Sequence, residues 1–168
     1  MEKELFTGDD RMKILIIYDS VFGNTEKIAQ SMGSALGSQK EVQVIRVTDA
    51  TVEQLSGVKL LLVGSPTRGF RATEGISTYL KNLPKDILKG VRAAAFDTRI
   101  PLETIKSGVF RFIVSKGGYA APIIAKKLAE KGAEIVAQPE GFFVKESEGP
   151  LMDGELERAA VWTKGLKG

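Results

Sequence analysis

The chain of 168 residues contains no cysteine and no histidine. Without cysteine there is no disulfide framework, thiolate nucleophile, iron–sulfur ligation or cysteine-phosphatase chemistry. Without histidine the chain lacks the commonest metal ligand and the side chain best suited to moving protons near neutral pH. Long apolar runs are missing as well. Ile14-Leu15-Ile16-Ile17 and Leu60-Leu61-Leu62-Val63 last only a few residues, far short of the roughly 20 that span a bilayer, so they read as buried strands and no membrane insertion is expected. Nor does one sign of charge dominate: 24 Lys and Arg stand against 21 Asp and Glu, a net charge of +3. The basic residues are scattered among acidic ones, which leaves no nucleic-acid footprint. Residues 1–11 are polar and lack the hydrophobic core of a signal sequence, so a cytoplasmic protein is expected. Reactivity in such a chain would arrive with a cofactor.

At this length one domain is expected, with residues 1–11 as a polar N-terminal extension and 12–168 as the folded unit. Short apolar, β-branched runs fall at 14–18, 42–47, 60–63, 93–96, and 135–137 with 142–144. Helical periodicity lies between them, through Ile28, Met32 and Leu36, through Ile76, Tyr79, Leu80 and Leu83, and through Ile124 and Leu128. A last amphipathic segment carries Leu156, Ala159, Ala160 and Thr163. Residues 48–59 have room for one or two helical turns only. Residues 97–118 read as a loop with a helical piece around 109–114, and Asp153 as a cap for the last helix. Strands that are apolar without alternation, each followed by an amphipathic helix, need both faces covered. The expected fold is therefore a three-layer, doubly wound α/β domain on a five-stranded parallel sheet.

In such a sheet ligands bind beyond the carboxyl ends of the strands, where the strand order reverses. The loop after the first strand, Ser20-Val21-Phe22-Gly23-Asn24-Thr25, runs directly into a helix. Backbone amides and the positive end of a helix dipole suit an anion there, Ser20 and Thr25 add hydroxyls, and Gly23 permits close approach. No lysine follows the glycine, which separates the loop from a nucleoside-triphosphate P-loop, and no G-x-G-x-x-G dinucleotide fingerprint is present. One monophosphate fits best. The alternative is that Ser20 and Thr25 only cap the helix.

The stretch Ile16-Ile17-Tyr18-Asp19-Ser20-Val21-Phe22-Gly23-Asn24-Thr25-Glu26-Lys27-Ile28-Ala29 resembles the flavodoxin signature: a hydrophobic pair, an aromatic, a Ser or Thr, a small residue, a Thr, then Ala. Met32 stands where that family usually has Leu, Ile or Val. The resemblance covers residues 12 to the C-terminus in element order, and the uninterrupted final strand region resembles the short-chain type. It implies strand order 2-1-3-4-5 and non-covalent FMN, with the phosphate in the loop from Ser20 to Thr25.

Further roles follow from the same resemblance. Ser65, Pro66, Thr67, Arg68, Gly69 and Phe70 would form the loop against the isoalloxazine ring, with Gly69 allowing a peptide to rotate toward the reduced flavin's N5. Phe70 either covers one ring face or anchors the loop in the core. Asp97 and Thr98 would hold the pyrimidine edge through backbone groups, or Asp97 is simply a turn former. Flavodoxins often place a tyrosine in this third loop, and residues 97–101 contain none; Phe110 or a partner subunit would have to supply that cover. Many flavodoxins are strongly acidic, whereas leaving out residues 1–11, with two basic and four acidic residues, gives the remainder a charge of about +5. Trp162 reads as core or as a lid on the sheet. The implied function is FMN-dependent electron transfer between partner proteins, a reductase and an acceptor, with no catalytic side chain. The alternative is an NAD(P)H-dependent FMN quinone reductase of the flavodoxin-like group. A receiver module would need an Asp at the end of the third strand, where Gly64-Ser65 stand.

Overall fold

The computed structural model describes residues 13–38 and 41–167. The expected extension at 1–11 lies outside the described residues. From Lys13 onward strands and helices alternate: β1 (Ile14–Tyr18), α1 (Asn24–Leu36), β2 (Val42–Arg46), β3 (Leu60–Pro66), α2 (Glu74–Asn82), β4 (Arg92–Arg99), α3 (Gly108–Gly117), α4 (Ala120–Glu130), β5 (Glu134–Ile135), β6 (Glu140–Phe143) and α5 (Glu155–Lys167). The short connection from β2 to β3 holds two single turns of 3-10 helix, Val47–Asp49 and Val52–Leu55.

All strand pairs are parallel, and the order is β2-β1-β3-β4-β5, with β6 also on β4. The fifth place in the sheet is thus filled by two short pieces rather than by one strand. Pairing on β4 moves from Ala93↔Ile135 to Phe96↔Glu140, a register slip of two residues, and Pro139, which has no N–H to donate to a ladder, stands in the unpaired stretch between them.

Every residue of β1 is buried, because its side chains alternate into two separate cores. Leu15 and Ile17 join Leu61, Val63, Ala93 and Ala95 beneath α2 and α4. Ile14, Ile16 and Tyr18 join Leu60, Leu62, Ala94 and Phe96 beneath α1 and α5. In the second core Phe96, Phe142 and Trp162 form an edge-to-face chain with centroid spacings of 6.3 and 6.0 Å, so Trp162 closes the sheet from α5. Gly64 pairs with Phe96 in register, and a Cβ at that glycine would run into the phenyl ring. The close fit of β3 on β4 therefore needs a glycine where β3 approaches its exit. β1, β3 and β4 all end at the same rim, delivering the loops that follow them to one place.

Candidate functional site

The rim carries a cleft of about 330 Å³ lined by Ser20, Val21 and Phe22 from the first loop with Asn24 and Thr25 at the start of α1, by Pro66 at the end of β3 with Thr67, Arg68 and Gly69 after it, and by Thr98 and Arg99 with Ile100 after them. Residues 97–99, expected as loop, form the end of β4. Ten of the fourteen residues singled out from the sequence line it. Gly23, Ser65, Phe70 and Asp97 do not: Ser65 and Asp97 are buried behind the surface, and Gly23 and Phe70 stand at turns with positive φ.

At one end, Gly23 adopts φ 92° and precedes the first residue of α1 without giving it a side-chain cap. The Ser20 Oγ accepts from the Gly23 amide at 3.0 Å and from Glu26 at 3.4 Å, so Ser20 does part of a cap's work. Thr25 does not: its buried hydroxyl meets the buried Thr98 hydroxyl at 2.8 Å, tying the first loop to the third. The amides of Val21, Phe22, Asn24 and Thr25 have no acceptor among the described residues. Four free donors at the start of a helix form a place for an anion. Arg46, the last residue of β2, braces the loop from behind, donating to the Ser20 carbonyl at 2.9 Å and pairing with Asp19 and Glu26 at 3.5 and 3.4 Å.

At the other end, Ser65 is fully buried. It donates to the Pro66 carbonyl and accepts from the Thr73 amide, both at 2.9 Å. Thr73 in turn caps α2 and donates to Asp19 at 2.6 Å, so both sides of the second loop are anchored. Between them Arg68 and Arg71 exchange backbone hydrogen bonds of 2.9 and 3.2 Å. The two central residues, Gly69 and Phe70, have φ 57° and 68°, the signs of a type I′ turn. Glycine takes this backbone freely; for phenylalanine it is strained by roughly 1–2 kcal/mol. Arg68 lies over the Phe22 ring at 5.6 Å and bridges the two loops at the mouth.

Asp97 is fully buried and points away from the cleft. It receives Nε and Nη2 of Arg99 at 2.7 and 2.8 Å and the Ala121 amide at 2.9 Å. Burial pushes its carboxyl pKa up, while Arg99, the Ala121 amide and the Thr67 hydroxyl pull it down. The Arg99 guanidinium also stacks on Tyr119 at 3.7 Å from the ring centroid, and packs over Gly141, where a Cβ would strike it. Thr67 accepts from the Ala120 amide at 2.9 Å. The third loop is thus pinned to the start of α4 by an ion pair with an aromatic cover. Tyr119 covers Arg99 and is not among the residues that line the cleft.

Five lining residues lie outside the fourteen: Arg99 and Ile100, within the stretch 97–101, and Val144, Ser147 and Glu148, which sequence reasoning missed altogether. They belong to a hairpin after β6, where Val144 bridges Leu151 and the Val144 amide donates to the Arg99 carbonyl at 2.9 Å. The Asn24 side-chain amide donates to the Glu148 carbonyl at 3.1 Å, and a Cβ at Gly149 would meet the Asn24 side chain at 2.8 Å. The Gly149-Pro150 pair was a visible turn signal, but nothing local ties it to a partner 124 residues away. Phe110 is 53% exposed on α3 and is not among the lining residues.

A family model described as Flavodoxin matches residues 16–160. Among solved structures, the chain is similar to a flavodoxin from the domain Archaea, at 22% identity and TM-score 0.71, over 93% of this chain and 96% of that one. It is similar to oxidised Flavodoxin 2 from Bacillus cereus at 23% identity and TM-score 0.69, over 92% and 97% of the two chains. A third likeness is to rubredoxin oxygen:oxidoreductase from Desulfovibrio gigas, at 19% identity and TM-score 0.67, over 95% of this chain and 36% of that one.

Proposed function

Because the chain belongs to the flavodoxin family, and so is an FMN-binding electron-transfer protein, we propose that it holds FMN phosphate-first in the loop from Ser20 to Thr25 and shuttles electrons between separate partner proteins. The observation that carries this reading is the set of four amides without protein acceptors, opening on the cleft beside the Ser20 and Thr25 hydroxyls. The residues fit the group. A cleft of about 330 Å³ lies within the roughly 300–1,000 Å³ of small-molecule sites, and its length runs from an anion cradle to a mouth lined by Phe22, Pro66, Gly69 and Ile100.

When bound, FMN supplies one- and two-electron redox chemistry. The chain's own residues bind and orient. Val21, Phe22, Asn24 and Thr25 donate from the backbone to the phosphate, and the Thr25–Thr98 bond keeps that cradle registered with β4. Gly69 would leave backbone free to approach the flavin, and Phe22 and Ile100 line the cleft with apolar surface. Among the described residues the charged lining groups are Arg68, Arg99 and Glu148, and Arg99 is committed to Asp97. That lining supports a carrier rather than a self-sufficient NAD(P)H oxidoreductase. No helix among the described residues is long and apolar enough to cross a membrane; we place the protein in the cytoplasm.

Reconstitution with FMN should give a flavin absorption spectrum. Ser20→Asp, which sets a carboxylate against the phosphate, should weaken FMN binding by about a hundredfold. Unchanged uptake by this variant would remove the phosphate assignment. Rapid NADPH oxidation by the loaded protein alone would replace the carrier reading with the reductase one.

A further inference from the structure

The loop from Ser20 to Thr25 contains no cation, yet one is held against it from outside. Arg46 is the last residue of β2 and pairs in register with Tyr18 at the end of β1. Its guanidinium lies 5.3 Å from the centroid of the Tyr18 ring. From there Nη1 donates to the Ser20 carbonyl at 2.9 Å and reaches Asp19 at 3.5 Å, while Nη2 reaches Glu26 at 3.4 Å. Both carboxylates are fixed in turn. Asp19 accepts from the Ser20 amide at 2.9 Å and the Thr73 hydroxyl at 2.6 Å, and Glu26 accepts from the Tyr18 hydroxyl at 2.6 Å. The two ion pairs are long and the Arg46 side chain is 34% exposed, so they contribute little to stability. The short bond to the Ser20 carbonyl is the contact with a consequence for the cleft.

That carbonyl belongs to the peptide unit whose other end is the Val21 N–H. The unit is trans, and in a planar trans peptide the two groups point in opposite directions, so a donor that captures the carbonyl also aims the amide. Arg46 arrives from β2, on the far side of β1 from β3, and no residue of β2 lines the cleft. Capture of the Ser20 carbonyl therefore turns the Val21 N–H away from β2. That amide is one of the four without an acceptor among the described residues, and Arg46 is the one partner of the Ser20 carbonyl among them. Charge adds to direction. A guanidinium on the carbonyl polarises the peptide and strengthens the donor at its other end.

We infer that Arg46 is a positioning residue for the phosphate: without touching the ligand it orients and strengthens the Val21 amide, and so sets the preference for a flavin phosphate ester over an unphosphorylated flavin. The inference rests on the phosphate site proposed for the loop from Ser20 to Thr25. The other free amides belong to the turn through Gly23 and the start of α1, so loss of Arg46 removes part of the preference and not all of it.

The test is titration of the FMN-free protein with FMN and with riboflavin, for the wild type, Arg46→Met and Arg46→Met/Glu26→Gln. The first variant removes the donor but leaves Asp19 and Glu26 without their cation. The second restores the wild-type charge balance of this group, and Gln can still accept from Tyr18; it also serves where the single variant folds poorly. In both variants FMN affinity should fall about tenfold while riboflavin affinity changes less than about twofold. The Val21 amide proton should move downfield on FMN binding in the wild type and much less in the variants. Unchanged FMN affinity in Arg46→Met would overturn the proposal and leave the phosphate site standing. Recovery of FMN affinity in the double variant would also overturn it, since charge rather than position would explain the loss. So would an equal loss for FMN and riboflavin, which would make Arg46 a support of the fold alone. A wild type that binds the two flavins equally would remove the phosphate site, and the role of Arg46 with it.

Discussion

At the end of the cleft proposed for the phosphate two buried threonines, Thr25 and Thr98, bond each other at 2.8 Å across the α1–β4 gap. At the opposite end the chain turns through Gly69 and Phe70 with positive φ at both residues, and a buried ion pair under Tyr119 fixes the strand beside it. The first end joins its loop to β4 through a neutral hydrogen bond, has glycine at the left-handed position, and is braced from behind by the partly exposed Arg46. The second rests on charge taken out of water and on a phenylalanine in a conformation it disfavours. In the proposed arrangement a site assembled this way would grip one end of its ligand through backbone amides. It would leave the other end on a turn whose stored strain a change in backbone could release.

The contrast can be broken most severely at Asp97. Asp97→Ala would strand the Arg99 guanidinium, only 17% exposed, and free the Ala121 amide, and should cost about 3–5 kcal/mol in urea unfolding, because an uncompensated buried charge remains. A loss under about 1 kcal/mol would mean that Arg99 swings out to solvent and that the pair contributes little. Thr98→Val probes the other end with a smaller change. It should cost about 1 kcal/mol of stability, the worth of one buried neutral hydrogen bond, and weaken FMN by a factor of about five through the loosened cradle. The smallest effect belongs to Phe70→Gly, which relieves the left-handed strain but adds chain entropy in the unfolded state. Unfolding of the FMN-free protein should show a gain of at most about 1 kcal/mol; a clear loss would show that the Phe70 ring contributes packing that outweighs the strain.

The sequence signals were strongest where chemistry is local. Ser20 through Thr25 are contiguous, so strand, turn and helix start could be read as one anion-binding unit, and the uninterrupted apolar runs announced a sheet covered on both faces. The helical piece in 97–118 also showed in its periodicity, and α3 extends it to Gly108–Gly117. What escaped depends on distant pairing. Nothing in Asp97-Thr98-Arg99 says that the Arg99 side chain folds back on Asp97 beneath Tyr119, twenty residues on. Asn24 carries no mark of its bond to Glu148, so the wall formed by Val144, Ser147 and Glu148 went unseen. Arg46 was hidden for the same reason: it reaches the first loop only because β2 lies beside β1. The runs 135–137 and 142–144 were legible as separate pieces, yet only the sheet shows that both return to β4.

The central claim is that the loop from Ser20 to Thr25 secures the ligand by its phosphate. Titrating the FMN-free protein with FMN and, in parallel, with riboflavin, which lacks the phosphate, and following quenching of flavin fluorescence, tests it directly. The cradle of free amides predicts that FMN binds on the order of a hundredfold more tightly than riboflavin. Equal affinities would contradict the account, because the ring end alone would then be holding the flavin.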